Sequence, residues 1–335
     1  MSCTHEALTQ NPVARRGFAL SVCGIPLYNA QSMPHYELCL AWNWEYDRDF
    51  ARLLETACVR AGLRFYSVTP ENLDSTLAGL SSQDICFTAF LDRASESDPR
   101  FQPLLDLARQ RPLFRINPQE LAVWTADKAT MHLEFCSRGL ETPYTILISP
   151  SNELPGLPPL DLSPLGGRFA IKPASMGGGD GVVLEATSLE QVLAVRWQYP
   201  HEKYLLQAQV TPQVLEDRPA WFRVLVCDGA VYPCWWDQRT HVYTPVRAEE
   251  RFRFGLRGLY EVAHRIAQVC HLDLFSTEIA LAADGRFLVV DYVNDPVDLR
   301  LQSKAADGVP DAFVEAIAGR LVRLAGAHLS PRENL

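Results

Sequence analysis

The stretch Arg168–Leu184, RFAIKPASMGGGDGVVL, constrains this chain more than any other. An apolar strand signal, Phe169-Ala170-Ile171, delivers Lys172 ahead of a proline. Ser175 and the run Gly177-Gly178-Gly179 follow, then Asp180-Gly181 and the β-branched pair Val182-Val183. Glycine lets backbone N–H groups approach an anion closely and accepts positive φ. Strand, lysine, glycine-rich turn and second strand read either as a phosphate-covering hairpin or as an ordinary exposed turn. The rest of the chain has to decide between the two.

With 335 residues the chain is long enough for two or three domains. Apolar residues make up 47% and charged residues 21%, a globular composition rather than a disordered one. No run approaches the ~20 apolar residues of a membrane helix, and Met1–Leu20 has no cationic start followed by an apolar core and cleavage site. A net charge of −9 without a long basic run argues against a nucleic-acid surface. The nine cysteines are scattered, form no C-x-x-C pair and mostly sit in apolar surroundings. They read as reduced core thiols, so the expected location is cytoplasmic.

The chain changes grammar near its middle. Residues 1–16 read as a tail, Phe18–Cys23 as a first strand, and 27–47 as an irregular aromatic segment. Helical spacing of Phe50, Leu53, Leu54, Ala57, Cys58 and Ala61 predicts a helix from Asp47 to Gly62. Strands at 63–68, 85–90 and 113–116 alternate with helices at 70–80 and within 98–111, which predicts a parallel α/β layer. No G-x-G-x-x-G follows the first strand, so a dinucleotide fingerprint is absent. Helices are expected from Asn117 and over Met131–Arg138, then a strand ending at Ile148 and a proline-rich loop over 149–167. Beyond the glycine stretch, a helix at 189–197 and a strand at 204–207 lead to two hairpins. One turns at Asp228-Gly229 and the other at Asp284-Gly285, with helices at 256–270 and 310–324.

The second hairpin carries the more specific chemistry. Glu278 and Asp291 lie on its opposite arms, each inside an apolar run. There a carboxylate is costly unless it is paired or bound to a cation. With the amide oxygen of Asn294 they make an oxygen-only set of the kind that Mg²⁺ takes. The competing reading is a pair of structural ion pairs to arginine. Of the arginines, Arg223, Arg239 and Arg300 are candidates to hold a phosphate or carboxylate bidentately, although a surface ion pair is the commoner role for any one of them.

Taken together these features resemble the ATP-grasp superfamily over about Asn117–Leu324. Asp127-Lys128 with Arg138-Gly139-Leu140 and Pro143-Tyr144-Thr145 looks like the segment that places a first nucleotide lysine. Lys172 and the Gly177–Gly181 loop look like the second lysine and the phosphate-covering loop. Gln207-Ala208-Gln209-Val210 is similar to the hinge whose backbone reads adenine, and Glu278, Asp291 and Asn294 look like the metal set. Two departures stand out. Two residues rather than one separate Asp291 from Asn294, so a bulge or Asp295 must complete the set. The hinge opens with Gln rather than Glu, whose side-chain oxygen can still accept from the adenine amino group.

The resemblance implies an α/β and α+β protein in three parts. A Rossmann-like α/β domain spans 17–116, a small ATP-grasp lobe with the glycine loop 117–200, and a C-terminal lobe with the metal site 201–328. It implies ATP and Mg²⁺, with Mn²⁺ as an alternative, bound by Lys128, Lys172, Ser175, Gly177, Gly178, Gly179, Gly181 and Gln207–Val210. The implied reaction is ligation of a small-molecule carboxylate to an amine or thiol through an acyl-phosphate, with release of ADP and phosphate. The alternatives are a small-molecule kinase and an ATP-binding module without turnover. No nucleic-acid or membrane partner is expected, and a homodimer is an assembly the reading allows.

Overall fold

The central strand of the first layer is β1, His35–Trp42, inside the segment expected to be irregular. In HYELCLAW the residues Leu38, Cys39, Leu40 and Ala41 are all fully buried. A parallel strand covered on both faces reads as a continuous apolar run, without the alternation that marks a half-exposed strand. Its one buried acid, Glu37, accepts from the backbone N–H of Arg64 at 2.6 Å and pairs with the Arg64 guanidinium at 3.5 Å. The computed structural model describes residues 33–329, so the expected strand Phe18–Cys23 lies outside the described residues.

From β1 the chain runs through α1 (Arg48–Arg60), β2 (Phe65–Val68), α2 (Leu73–Ser81), β3 (Cys86–Arg93), α3 (Gln102–Arg109) and β4 (Phe114–Ile116). The four strands are parallel in the order β2-β1-β3-β4. The expected helix over 47–62 is α1, which turns Phe50, Ala51, Leu54 and Cys58 inward.

Two helices, α4 (Gln119–Ala126) and α5 (Lys128–Ser137), lead into a second layer. It comprises β5 (Thr145–Ile148), β6 (Phe169–Pro173), β7 (Val183–Ala186), α6 (Leu189–Gln198) and β8 (Tyr204–Ala208). This sheet is antiparallel, ordered β5-β8-β6-β7. The proline-rich loop over 149–167 is fastened by Arg196, only 1% exposed, whose guanidinium donates to the carbonyls of Ser149 (2.7 Å) and Leu154 (2.8 Å).

A short ribbon, β9 (Val214–Leu215) with β10 (Arg218–Pro219), precedes the largest sheet. That sheet is built from β11 (Trp221–Cys227), β12 (Ala230–Trp236) and β13 (Tyr243–Pro245), then α7 (Ala248–Arg253), α8 (Arg257–Cys270), β14 (Leu274–Leu281) and β15 (Phe287–Asn294). Its order is β13-β12-β11-β14-β15, antiparallel throughout. The ribbon, β13 and α7 were not anticipated from the sequence; each is only two to six residues long, too short to show a period.

The last helix, α9 (Asp311–Ala327), joins the layers. Its buried residues Val314, Ile317, Leu321 and Val322 share one core with Leu38 and Leu40 of β1, Phe50 and Leu54 of α1, and Leu225 of β11. Asn117 ties the end of β4 to the start of β14. Its Oδ1 accepts from the N–H groups of Asp273 (2.8 Å) and Leu274 (3.1 Å), and its Nδ2 donates to the Leu274 carbonyl at 2.6 Å. Among the described residues no helix is long and apolar enough to cross a membrane.

Since Leu321 is fully buried where these elements meet, Leu321→Ala is expected to cost about 3 kcal/mol. A urea titration of the full chain would show this as a lower midpoint with an unchanged slope.

Candidate active site

Strand register gathers the acids. On β11 Arg223 is the neighbour of Glu278, and across the next pairing Glu278 is the neighbour of Asp291. The three side chains therefore stand in a row across β11, β14 and β15. Arg223 Nη1 lies 2.5 Å from Glu278 Oε1 and 3.8 Å from Asp291 Oδ2, one cation between two carboxylates. The other oxygen of Glu278 accepts from the Trp221 indole N–H at 3.0 Å. Arg223 Nε is buried without a hydrogen-bond partner, so the guanidinium keeps an unused donor inside the cluster.

The extra residue after Asp291 is taken up by a bulge. Ser276 pairs with Asn294 and Glu278 with Asp291, so two steps on β14 face three on β15. As a result Asn294 Nδ2 donates to Asp291 Oδ2 at 2.9 Å, and the Asn294 amide oxygen remains as an acceptor. Asp295 faces elsewhere, near Asn117, Arg93, Glu96 and Asp92, and burial pushes its carboxyl up to about 6. Burial also acts to raise Asp291, but the charges of Arg223, Lys172 and Lys128 outweigh it and hold that carboxyl below its usual range.

The second lysine crosses between sheets. From β6 the ammonium of Lys172 donates to Gln207 Oε1 at 2.7 Å and to the Val290 carbonyl, on β15, at 3.1 Å. Burial lowers its pKa, and the nearby Asp291 and Glu278 only partly oppose that. Lys128 opens α5 where Asp127 caps the helix, its Oδ1 accepting from the Thr130 N–H at 2.9 Å. The Lys128 ammonium donates to the Met176 carbonyl at the foot of the glycine loop, at 2.6 Å. Its charge is felt by both Lys172 and Asp291.

Above these groups the glycine loop is open. Nothing lies within 4 Å of where side chains would start at Gly177, Gly178 and Gly179. Gly179 has φ +83° and Gly181 φ +69°, and a Cβ on Gly181 would meet the Pro173 ring at 2.9 Å. Glycine is therefore favoured at 179 by conformation and at 181 by conformation and space. Ser175 is bound to Glu202, its hydroxyl 3.0 Å from the carboxylate.

The expected hinge residues close β8, Gln207 and Ala208 being its last two and Gln209 and Val210 following it. Ala208 N–H donates to the Tyr144 carbonyl at 2.8 Å, Gln209 Nε2 to the Leu184 carbonyl at 2.9 Å, and Val210 packs against Trp221 and Val290. Gln207 turns inward and is 2% exposed. Its oxygen accepts from Lys172, and its Nε2 donates to the Tyr292 hydroxyl at 3.3 Å, which lies 2.8 Å from His132 Nδ1. The sequence expectation that this oxygen accepts from a base thus meets a side chain already engaged with Lys172.

Of the three candidate arginines, Arg223 alone joins the acids. Arg239 is exposed on the turn after β12, where its backbone N–H is held by Asp237. Arg300 is bracketed by Asp298 (2.7 Å) and Asp307 (2.9 Å) and lies over the Trp44 ring, its charge already neutralised. Sequence reasoning missed Trp221, Tyr292 and His132. Trp221 stands two residues before Arg223 and Tyr292 directly after Asp291, but nothing in spacing says which way their polar tips point.

The arrangement presents two ammonium groups, a guanidinium, two carboxylates and an amide oxygen beneath an open glycine loop. No protein-family model matches the chain, and no curated protein matches it. Solved structures do. A RimK-domain ATP-grasp protein from Sphaerobacter thermophilus aligns with a TM-score of 0.59 at 19% identity, over 85% of this chain and 98% of that one. The ATP-grasp ligase PsnB, complexed with a minimal precursor, Mg and ADP, aligns with a TM-score of 0.58 at 13% identity, over 87% and 98%. D-alanine–D-alanine ligase from Bacillus anthracis, complexed with ATP, aligns with a TM-score of 0.56 at 13% identity, over 87% and 98%.

The pairing of Asp291 sets a pH dependence. Its folded pKa lies below the unfolded value of about 3.9. The resulting stabilisation is complete above that unfolded value and is lost as pH falls through the folded one. Urea midpoints measured from pH 6 downward should therefore fall less steeply for Asp291→Asn than for the unaltered chain; parallel curves would contradict the pairing.

Proposed function

Since the fold of this chain is the ATP-grasp fold, we propose that it is an ATP- and Mg²⁺-dependent ligase that joins a carboxylate to an amine or thiol. The observation that carries the reading is Lys172, half-buried between Gln207 and Val290 and in the field of Asp291 and Glu278. A half-buried lysine beside two carboxylates and next to an open anion-binding loop is hard to explain by packing alone. In this reading the described part of the 17–116 domain, from residue 33, precedes the ATP-grasp lobes, with 117–200 the lobe carrying the loop and 201–328 the lobe carrying the acids.

Glu278, Asp291 and the Asn294 oxygen would hold the cation, and their all-oxygen chemistry fits Mg²⁺. When bound, Mg²⁺ neutralises phosphate charge. Lys128 and Lys172 supply point charges to the α- and β-phosphates. Gln207 orients Lys172 and is itself held by Tyr292. Arg223 brings a guanidinium with a free donor to the γ-phosphate. Gly177–Gly181 close over the phosphates and exclude water, Ser175 fixing the foot of the loop through Glu202. The segment Gln207–Val210 borders the adenine. A carboxylate oxygen bonds to the γ-phosphorus as the bond to ADP breaks. The amine or thiol then attacks the acyl carbon, and phosphate leaves with the bonding electrons while the nucleophile's proton passes to solvent. The chain's part is positioning and charge stabilisation rather than covalent catalysis.

Lys172→Ala and Glu278→Ala are each expected to lower Mg²⁺-dependent ADP release by about 100-fold or more, measured against pooled carboxylates and amines. Turnover equal to the parent in both would remove the assignment. Hydroxylamine should trap a hydroxamate from the activated acid; phosphorylated acceptor without hydroxamate would mean a kinase.

A further inference from the structure

A cavity of about 140 Å³ lies at the C-terminal ends of β3 and β4, closed by α3, α4 and the residues after β15. One water needs only about 10–15 Å³ of such space, so the cavity takes a small organic group. The crevice beyond the carboxyl ends of parallel strands is where open α/β sheets hold ligands. One wall is hydrocarbon, including Leu105, Ala108, Ala122 and Val123; Asp92, Glu96 and Asp295 supply acid.

The charges around it do not cancel. Three arginines also line the cavity, and each is committed to a partner. Arg93 makes a bidentate pair with Asp47 (2.7 and 2.9 Å), Arg115 one with Glu120 (2.7 and 2.8 Å), and Arg109 pairs with Asp106 at 3.3 Å. Asp92 Oδ1 accepts from the N–H groups of Ala94 and Ser95, and its Oδ2 from the Ser95 hydroxyl. Glu96 and Asp295 have no ion pair among the described residues. One donor is also left over: Arg93, with a side chain 3% exposed, has no partner for Nη1. Among the described residues no three His, Cys, Asp or Glu side chains converge as a metal cage. Spaced carboxylates, a hydrocarbon wall and one unused donor suit an organic cation that also carries an acceptor.

We propose that this cavity binds a small aliphatic primary amine carrying a hydrogen-bond acceptor, its ammonium held by Asp295 and Glu96 and its acceptor satisfied by Arg93. Asp295 directly follows Asn294 in the chain, with its side chain turned to Asn117, Arg93, Glu96 and Asp92. That it serves as the acceptor of ligation rests on the ligase reading; that it binds does not.

The test is calorimetric titration of the full chain, without nucleotide, using 4-aminobutan-1-ol. Butane-1,4-diol and 4-hydroxybutyrate replace the ammonium by a neutral and an anionic group. The proposal predicts saturable binding of the amine alone, weakened about tenfold or more by Asp295→Asn and by Glu96→Gln and unchanged in Lys172→Ala. Glu96 is exposed, so Glu96→Gln reports on binding without risk to folding. Absence of amine binding, equal binding of the diol, or parental affinity in both acid variants would overturn it. A separate titration of the same sample with ADP and Mg²⁺ tests the nucleotide reading, so the two can fail independently.

Discussion

The site depends on one half-buried lysine. Lys172 leaves β6 and ends against Gln207 and the Val290 carbonyl of β15, so one side chain links two sheets. An isolated ammonium in that position would be expensive. Asp291 and Glu278 offset part of that cost, and Arg223 in turn keeps those acids from repelling each other. Arg223 is thus held between the two acids, while Lys172 and Lys128 are held by uncharged oxygens within reach of the same acids' field. A polyphosphate and a divalent cation would enter this arrangement as replacements for charges already balanced, which favours ligands that bring both signs together.

The architecture around it serves the same end. α9 shares one core with β1, α1 and β11, and Asn117 fastens the exit of β4 to the start of β14. The parallel layer and the large antiparallel sheet are thereby joined through α9 and Asn117. β15 then runs from the Glu278–Asp291 cluster to Asp295, which lines the cavity at the C-terminal ends of β3 and β4. The two chemistries proposed here meet at the Asn294–Asp295 peptide.

Much of this was legible in the sequence because it is written in local patterns. The helical period over 47–62 gave α1, the two Asp-Gly turns gave the β11–β12 and β14–β15 hairpins, and Glu278 and Asp291 were recognisable as acids inside apolar runs. What was not legible depends on direction and register. β1 was hidden because a strand buried on both faces has no alternation to detect. Gln207 was placed at the right segment, but its inward rotamer toward Lys172 is set by Tyr292, 85 residues away in sequence. Arg300 and Arg223 look alike as residues. Only the fold shows that Asp298 and Asp307 occupy the first while the second keeps a free donor. The extra residue after Asp291 likewise has no meaning until the bulge turns Asn294 back onto its carboxylate.

The central claim is that the cluster of Lys172, Glu278, Asp291 and Asn294 is built for a nucleotide and its cation together. It is tested most directly by titrating the full chain with ADP in the presence and absence of Mg²⁺. The account predicts that Mg²⁺ strengthens ADP binding and that Asp291→Asn with Glu278→Gln abolishes this gain while leaving weak, Mg²⁺-independent binding through Lys128 and Lys172. The same gain in the doubly substituted chain, or ADP binding indifferent to Mg²⁺ in the parent, would contradict it.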